Sequence, residues 1–296
     1  MSAQGTWWNP ALRKRGIASA AMSRVLIRLV PTFAAIVVLV PAAVGVSRAQ
    51  HEGAALLPDL DQEPPTALVI TRAPARSQVT WRLGFRSAVS NVGDGPLILE
   101  GRRPSRVAPT MRADQVIVRD GAPLELNRHA GRLRYVRAPD HQHWHLLGFE
   151  RYELRRPGGK RALVTDRKSG FCLGDRYSVT GRELPARPGA PIYTSRCGLE
   201  HPSLLGIREG ISVGYGDDYK ANLEGQWLPL DGLAPGRYLL VHRVNLGRRL
   251  RERSYANNAA SLRFRLRWRH GEPLIDRLET CPDSARCPEV AQPTRA

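Results

Sequence analysis

This chain is predicted to be mainly β, an antiparallel, sandwich-like single domain with long loops. Short apolar or alternating runs recur along most of it, as half-buried strands do. Clusters of Gly, Pro, Asn and Asp separate those runs, and no segment after residue 50 keeps a helical period. At 296 residues the chain is long enough for one large β domain with a real core.

The first fifty residues are of another kind. Arg13, Lys14, Arg15, Arg24 and Arg28 precede an apolar run over 29–46, and Ser47-Arg48-Ala49 follows with the small residues that a signal peptidase needs. The reading is a secretory signal over 1–49, cut after Ala49, with Met22 as an alternative start. The competing reading is an uncleaved anchor, but 18 residues containing Pro31 and Pro41 are at the lower limit of a span. The mature protein is therefore expected to be secreted or extracytoplasmic, with no stable membrane insertion after cleavage.

Residues 50–65 are acidic and proline-bearing, and read as a linker. The β domain is expected over 66–268. Strands are predicted at 67–71, 79–87, 96–100 and 115–119, parted by Asn91-Val92-Gly93-Asp94-Gly95-Pro96 and Arg119-Asp120-Gly121 as turns. Further strands follow at 149–154, 161–165, 237–245 and 259–268. Residues 176–196 carry prolines and glycines without a period, which makes them a loop. Residues 269–296 lack a core pattern and read as a C-terminal tail.

The net charge is +18, and removing the six positives of residues 1–49 leaves +12. The arginines form no helical stripe and have no aromatic base-stacking platform, so nucleic acid is not an expected partner. Only Lys14, Lys160, Lys168 and Lys220 are lysines among 45 basic residues. In an exported protein Cys172, Cys197, Cys281 and Cys287 are expected to be oxidised. Three pairings are open, and the sequence-local one, Cys172–Cys197 with Cys281–Cys287, is favoured.

The most informative run is His141-Gln142-His143-Trp144-His145, which holds three of the eight histidines. Imidazole is the commonest metal-ligating side chain, and alternate positions of an extended segment point to one side. Copper, zinc, nickel and iron suit such a set, whereas calcium and magnesium prefer oxygen. A surface histidine cluster and a structural zinc site are the competing readings. Trp144 and Trp227 read as packing residues, Lys160 and Lys220 as solvated positions, and His201 and His242 as ordinary hydrogen-bonded histidines.

Two further motifs follow in order. Lys168 precedes Phe171-Cys172-Leu173, and Gly210-Ile211-Ser212 leads through Asp217, Asp218 and Tyr219 to Gln226-Trp227. With the histidines, this set resembles the lysyl oxidase family over about residues 128–266. The arginine-rich composition and the short leader point to a bacterial member. The resemblance implies copper held by His141, His143 and His145. It also implies a lysine tyrosylquinone cofactor made from Lys168 and Tyr219. Tyr215 competes with Tyr219, which is preferred for its distance before Gln226-Trp227. The chain departs from the family pattern in its long loop 176–196, in having fewer cysteines than the animal enzymes, and in having Asp140 where a cysteine often precedes the histidines.

The function implied is an exported copper amine oxidase. With molecular oxygen, it would convert a protein-lysine side chain or other primary amine to an aldehyde, releasing ammonia and hydrogen peroxide. A base must take the proton from the amine-bearing carbon, and Asp217 or Asp218 is the candidate. Their bland reading is a turn-forming pair beside Gly216. Two other functions compete. One is a copper-binding β-sandwich of the cell envelope without catalysis. The other is a cupin-like dioxygenase, which lacks the glutamate expected after His143.

Overall fold

The computed structural model describes residues 53–288 apart from 75–78, 139–141, 167–169, 222 and 224. Residues 1–49, expected as a signal, and His141 and Lys168 lie outside the described residues. Among the described residues there is no helix, and none is therefore long and apolar enough to cross a membrane.

Seventeen strands follow in chain order. They are β1 (Ala55–Leu56), β2 (Leu60–Gln62), β3 (Thr66–Pro74), β4 (Val79–Asn91), β5 (Leu97–Arg102), β6 (Thr110–Arg119), β7 (Glu125–Tyr135), β8 (Trp144–Leu146) and β9 (Glu150–Arg155). Then come β10 (Ala162–Thr165), β11 (Tyr177–Ser178), β12 (Gly206–Ile211), β13 (Tyr215–Tyr219), β14 (Trp227–Pro229), β15 (Gly236–Val244), β16 (Ala259–Arg269) and β17 (Glu272–Cys281). All pair antiparallel, in three sheets. The first runs β12-β5-β6-β7-β8 with β1 beside β6. The second runs β10-β9-β15-β16-β17, and the third β11-β13-β4-β14, with β2 and β3 also on β4.

All three sheets bury their inner faces together. Leu99, Met111, Leu133 and Trp144 come from the first, Tyr152, Tyr238, Leu240 and Phe264 from the second, and Leu83, Phe85 and Leu228 from the third. Each of these is wholly buried. A side chain so placed contributes roughly 1.5–3 kcal/mol relative to exposure. β15 has a run of five buried residues because neighbouring layers cover both of its faces.

The structure corrects the two flanks of the predicted domain. The segment expected as a linker contains β1 and β2, with Leu60 wholly buried. Its acids are partners rather than solvated charges: Asp59 accepts hydrogen bonds from Arg253 at 2.7 Å and Asn257 at 2.8 Å. The expected tail contains β17, paired along β16 and closed by the Cys281–Cys287 disulfide. As an edge strand, β17 has few buried positions, so its apolar period is faint. β7 is hidden in the sequence for a related reason, since most of its side chains face solvent and only Ala130, Gly131 and Leu133 are buried.

Candidate metal and carboxylate site

β8 carries Trp144 and His145 in extended form, and His143 stands at the bend just before it. The His143 carbonyl accepts from Val136 N at 2.8 Å, Trp144 N donates to the Cys197 carbonyl at 2.9 Å, and Leu146 N donates to the Phe171 carbonyl at 2.8 Å. Alternate residues therefore share a side. The rings of His143 and His145 lie 4.7 Å apart between centroids, tilted by 50°, with His145 buried and His143 half-buried. Two imidazoles converging from β8 and the bend before it fit a nitrogen-preferring metal. Two other donor clusters among the described residues are built on cysteine sulfurs, Cys172 and Cys197 with Glu209, and Cys281 and Cys287 with Glu279. Those sulfurs are joined as disulfides and offer no thiolate.

The segment that follows Lys168 runs directly beside β8. Leu146 and Phe171 form an antiparallel bridge, and Gly170 lies so close that a methyl group on it would sit 2.4 Å from the Leu146 carbonyl oxygen. Its φ of +151° also favours glycine. Next in line, Cys172 holds Tyr219. Its N–H donates to the phenol oxygen at 2.7 Å, and the phenol donates to the Cys172 carbonyl at 2.9 Å. The Phe171 ring meets the Tyr219 ring edge-on at 4.9 Å. Tyr215 points elsewhere, with its hydroxyl toward the Pro188 carbonyl and Arg187 over its ring.

β13 separates the two aspartates that the sequence left equivalent. They belong to a strand and not to a turn. Successive side chains alternate faces, so Asp218 turns out to pair with Arg86 at 2.9 Å while Asp217 turns in with Tyr219. Asp217 is 3% exposed, and one of its oxygens has no hydrogen-bond partner among the described residues. Burial pushes its carboxyl well above the ordinary range against the pull of Arg176, whose Nε lies 3.8 Å away, and the charges of Glu150 and Asp218 add to the rise. The Tyr219 phenol is raised as well, by burial first and then by Asp217, Glu209 and Glu150.

Glu150 and Glu209 complete a group of three buried carboxyls around Tyr219, and the sequence reading missed both. Glu150 accepts from Ser87 Oγ at 2.7 Å and from the Tyr152 hydroxyl in a very short contact. Glu209 is wholly buried, with Leu173 N as a donor at 3.4 Å, and burial raises its carboxyl strongly. The signal for Glu150 was an acid at an inward position of the strand 149–154. The Tyr152 ring leads on to His242 at 4.6 Å, and His242 also contacts Phe85 at 4.9 Å. His242 is wholly buried, and both ring nitrogens lack hydrogen-bond partners among the described residues.

The remaining sequence candidates separate clearly. Trp144 is core, with its Nε1 donating to the His201 carbonyl at 3.2 Å, and His201 itself is exposed. Trp227 stacks under Arg82 at 3.8 Å, and Lys160 and Lys220 are exposed. The loop 176–196 is tied down twice. The Cys172–Cys197 disulfide closes it, and Asp175 accepts from Ile192 N, Tyr193 N, Ser212 N and Ser212 Oγ at 2.8–3.1 Å. A Cys197→Ser variant, with the sequence separation of 25 reopened, is expected to lose about 3 kcal/mol of stability in urea unfolding. An unchanged midpoint would show that Asp175 alone anchors the loop.

Comparisons with known proteins agree with this geometry. A family profile described as lysyl oxidase matches residues 125–270. A protein-lysine 6-oxidase of Sus scrofa is 28% identical over 131 residues, which is 44% of this chain and 46% of that protein. The Homo sapiens protein-lysine 6-oxidase is also 28% identical over 131 residues, covering 28% of its length. Lysyl oxidase homolog 3 of Homo sapiens is 28% identical over 134 residues, covering 15% of its length. The chain thus spans less than half the length of the relatives it matches.

Proposed function

This chain belongs to the lysyl oxidase family through residues 125–270, and we propose that it is an exported copper amine oxidase that deaminates a protein-lysine side chain or another primary amine. One observation carries the proposal. Tyr219 is fastened to the Cys172 backbone, four residues beyond Lys168, on a segment bridged to the strand that holds His145. His143 and His145 lie together with ring centroids 4.7 Å apart, and His141 is the third ligand proposed. Copper held there, with a quinone made from Tyr219 and Lys168, would supply the oxidising centre that turns a primary amine, molecular oxygen and water into an aldehyde, ammonia and hydrogen peroxide.

The chain's own residues do the rest. Lys168 must give up its proton before its amine is a nucleophile, and Asp217, Glu150 and Glu209 are carboxyls whose charges act on the Tyr219 phenol. Asp217 is the proposed base for the amine-bearing carbon. Its inward oxygen carries no competing hydrogen bond among the described residues, and the burial that raises its carboxyl makes the carboxylate a stronger base. The edge of Phe171 and the Cys172 backbone fix the Tyr219 ring, which limits its rotation. The two disulfides support an oxidising, extracytoplasmic compartment.

The test is a digest of copper-loaded, aerated protein, searched by mass spectrometry for a peptide joining Lys168 to Tyr219. The cross-link is expected in the native chain and absent from Tyr219→Phe, while Tyr215→Phe retains it. Linear Lys168 and Tyr219 peptides in fully loaded protein would sink the oxidase reading in favour of a non-catalytic copper protein.

A further inference from the structure

On the sheet that carries the histidine strand, three arginines stand in one row. Arg102 of β5 is directly opposite Arg112 of β6, and Arg112 is directly opposite Arg132 of β7. Opposed residues of an antiparallel pair share a face, with Cα atoms about 4.5–5.5 Å apart, and like charges so placed repel. Arg249, His129 and Thr110 join them around a cavity of about 780 Å³. Two carboxylates serve this row. Glu100 reaches Arg102 at 3.2 Å but also pairs with Arg208. Asp114 lies 3.5 Å from Arg112 and accepts from His129 N at 2.8 Å. Arg132 and Arg249 have no ion pair among the described residues.

The row is not needed to hold the sheet. Leu99, Met111 and Leu133 do that from the opposite face. Arg103, the other arginine at the cavity, differs, since its guanidinium is 8% exposed as a residue and donates to the carbonyls of Leu204, Arg106, Ala108 and Pro202. Arg102, Arg112, Arg132 and Arg249 are exposed, with their charge directed to solvent. Repulsion among them falls when an anion lies across them.

We propose that this arginine row docks an acidic stretch of a protein substrate, next to the lysine to be oxidised; this rests on the amine oxidase reading. Its position selects the occupant. Two residues along β7 from Arg132, Arg134 is directly opposite His145 of β8. The row thus begins roughly 8 Å in backbone terms from the histidine strand, from the strand rise and spacing. An extended peptide covers that distance in about three residues. A lysine arriving alone would meet a cationic surface, and acidic neighbours offset that repulsion. No Phe, Tyr or Trp lines the cavity, so nothing there stacks a base.

The experiment measures binding, not turnover, so it stands apart from the oxidase test. Full-length protein, with and without copper, is titrated against a fluorescent lysine peptide flanked by four glutamates, and against the same peptide with four glutamines. The glutamate peptide is expected to bind in both states and weaken with salt, and the glutamine peptide to bind at least about tenfold more weakly. The triple variant Arg102→Gln, Arg112→Gln, Arg132→Gln should lose about tenfold for the glutamate peptide and melt no lower than the native chain. A charge-matched control, Arg265→Gln, Arg269→Gln, Arg277→Gln on the exposed side of β16 and β17, should stay within about twofold. Equal losses in both triples would reduce the effect to net charge and overturn the proposal. Polyphosphate binding without glutamate-peptide binding would also overturn it and assign the row to a phosphate polymer.

Discussion

Asp217→Asn is expected to lower amine oxidation by about 10²–10⁴-fold while leaving the melting temperature unchanged or higher. The two halves of that outcome have separate causes. Loss of rate follows from removing the proposed proton acceptor on the Tyr219 face of β13, and the isosteric amide cannot replace it. Stability holds because Asp217 is a buried carboxyl raised well above its ordinary range, so its ionised form is a liability to the fold. The amide also keeps the shape of the site. Asp218→Asn is the matched control, since Asp218 faces Arg86 on the other side of β13, and its rate should fall by less than about threefold. Peroxide release on a lysine peptide measures the rates, and calorimetry the stability. If Asp217→Asn melts lower with an unchanged rate, Asp217 is structural and Glu150 becomes the candidate base.

The second large effect is on acid stability and comes from His242. Burial lowers its imidazole from the ordinary 6.5 to about 3. Below pH 6.5 the unfolded chain takes a proton that the folded chain refuses, so the stability from keeping His242 neutral is complete above 6.5 and declines as pH falls toward 3. The full shift corresponds to roughly 4–5 kcal/mol. Other buried groups act in the opposite sense. Burial raises Glu252 from 4.5 to about 7 despite hydrogen bonds from Asn245 and Asn258, so its contribution is present at acid pH and lost as pH rises through about 7. Asp217 and Glu209 are raised likewise. The diagnostic is therefore the difference between native protein and His242→Phe, which retains a ring against Tyr152 and Phe85. Urea unfolding at pH 7 should match within about 1 kcal/mol, and at pH 4 the variant should be the more stable by several kcal/mol. Parallel curves from pH 7 to 4 would show that His242 takes up a proton in the native state.

Much of the strand pattern is legible in the sequence. The predicted strands 79–87, 149–154, 237–245 and 259–268 fall within a residue or so of parts of β4, β9, β15 and β16, because their buried faces give strong apolar runs. Both predicted disulfides are present, Cys172–Cys197 with Cα atoms 5.7 Å apart and Cys281–Cys287 at 5.3 Å. β13 is harder to see. Gly216, Asp217 and Asp218 have poor strand propensity, and pairing with β4 overrides it. The same pairing turns Asp217 inward and Asp218 outward, a distinction that two adjacent identical residues cannot announce.

By itself the sequence determined the fold class, the strong strands, the alternation that brings His143 and His145 to one side, and the family through motif order. Each of these rests on local periodicity or on spacing along the chain. Only the tertiary structure decided that Tyr219 and not Tyr215 meets the Cys172 backbone, that Glu150, Asp217 and Glu209 gather around it, and that Arg102, Arg112 and Arg132 share one row. The physical reason is that burial and cross-strand register are properties of strands far apart in sequence. Whether a carboxyl is stripped of water, or a guanidinium meets another, depends on which strands pair and in what alignment.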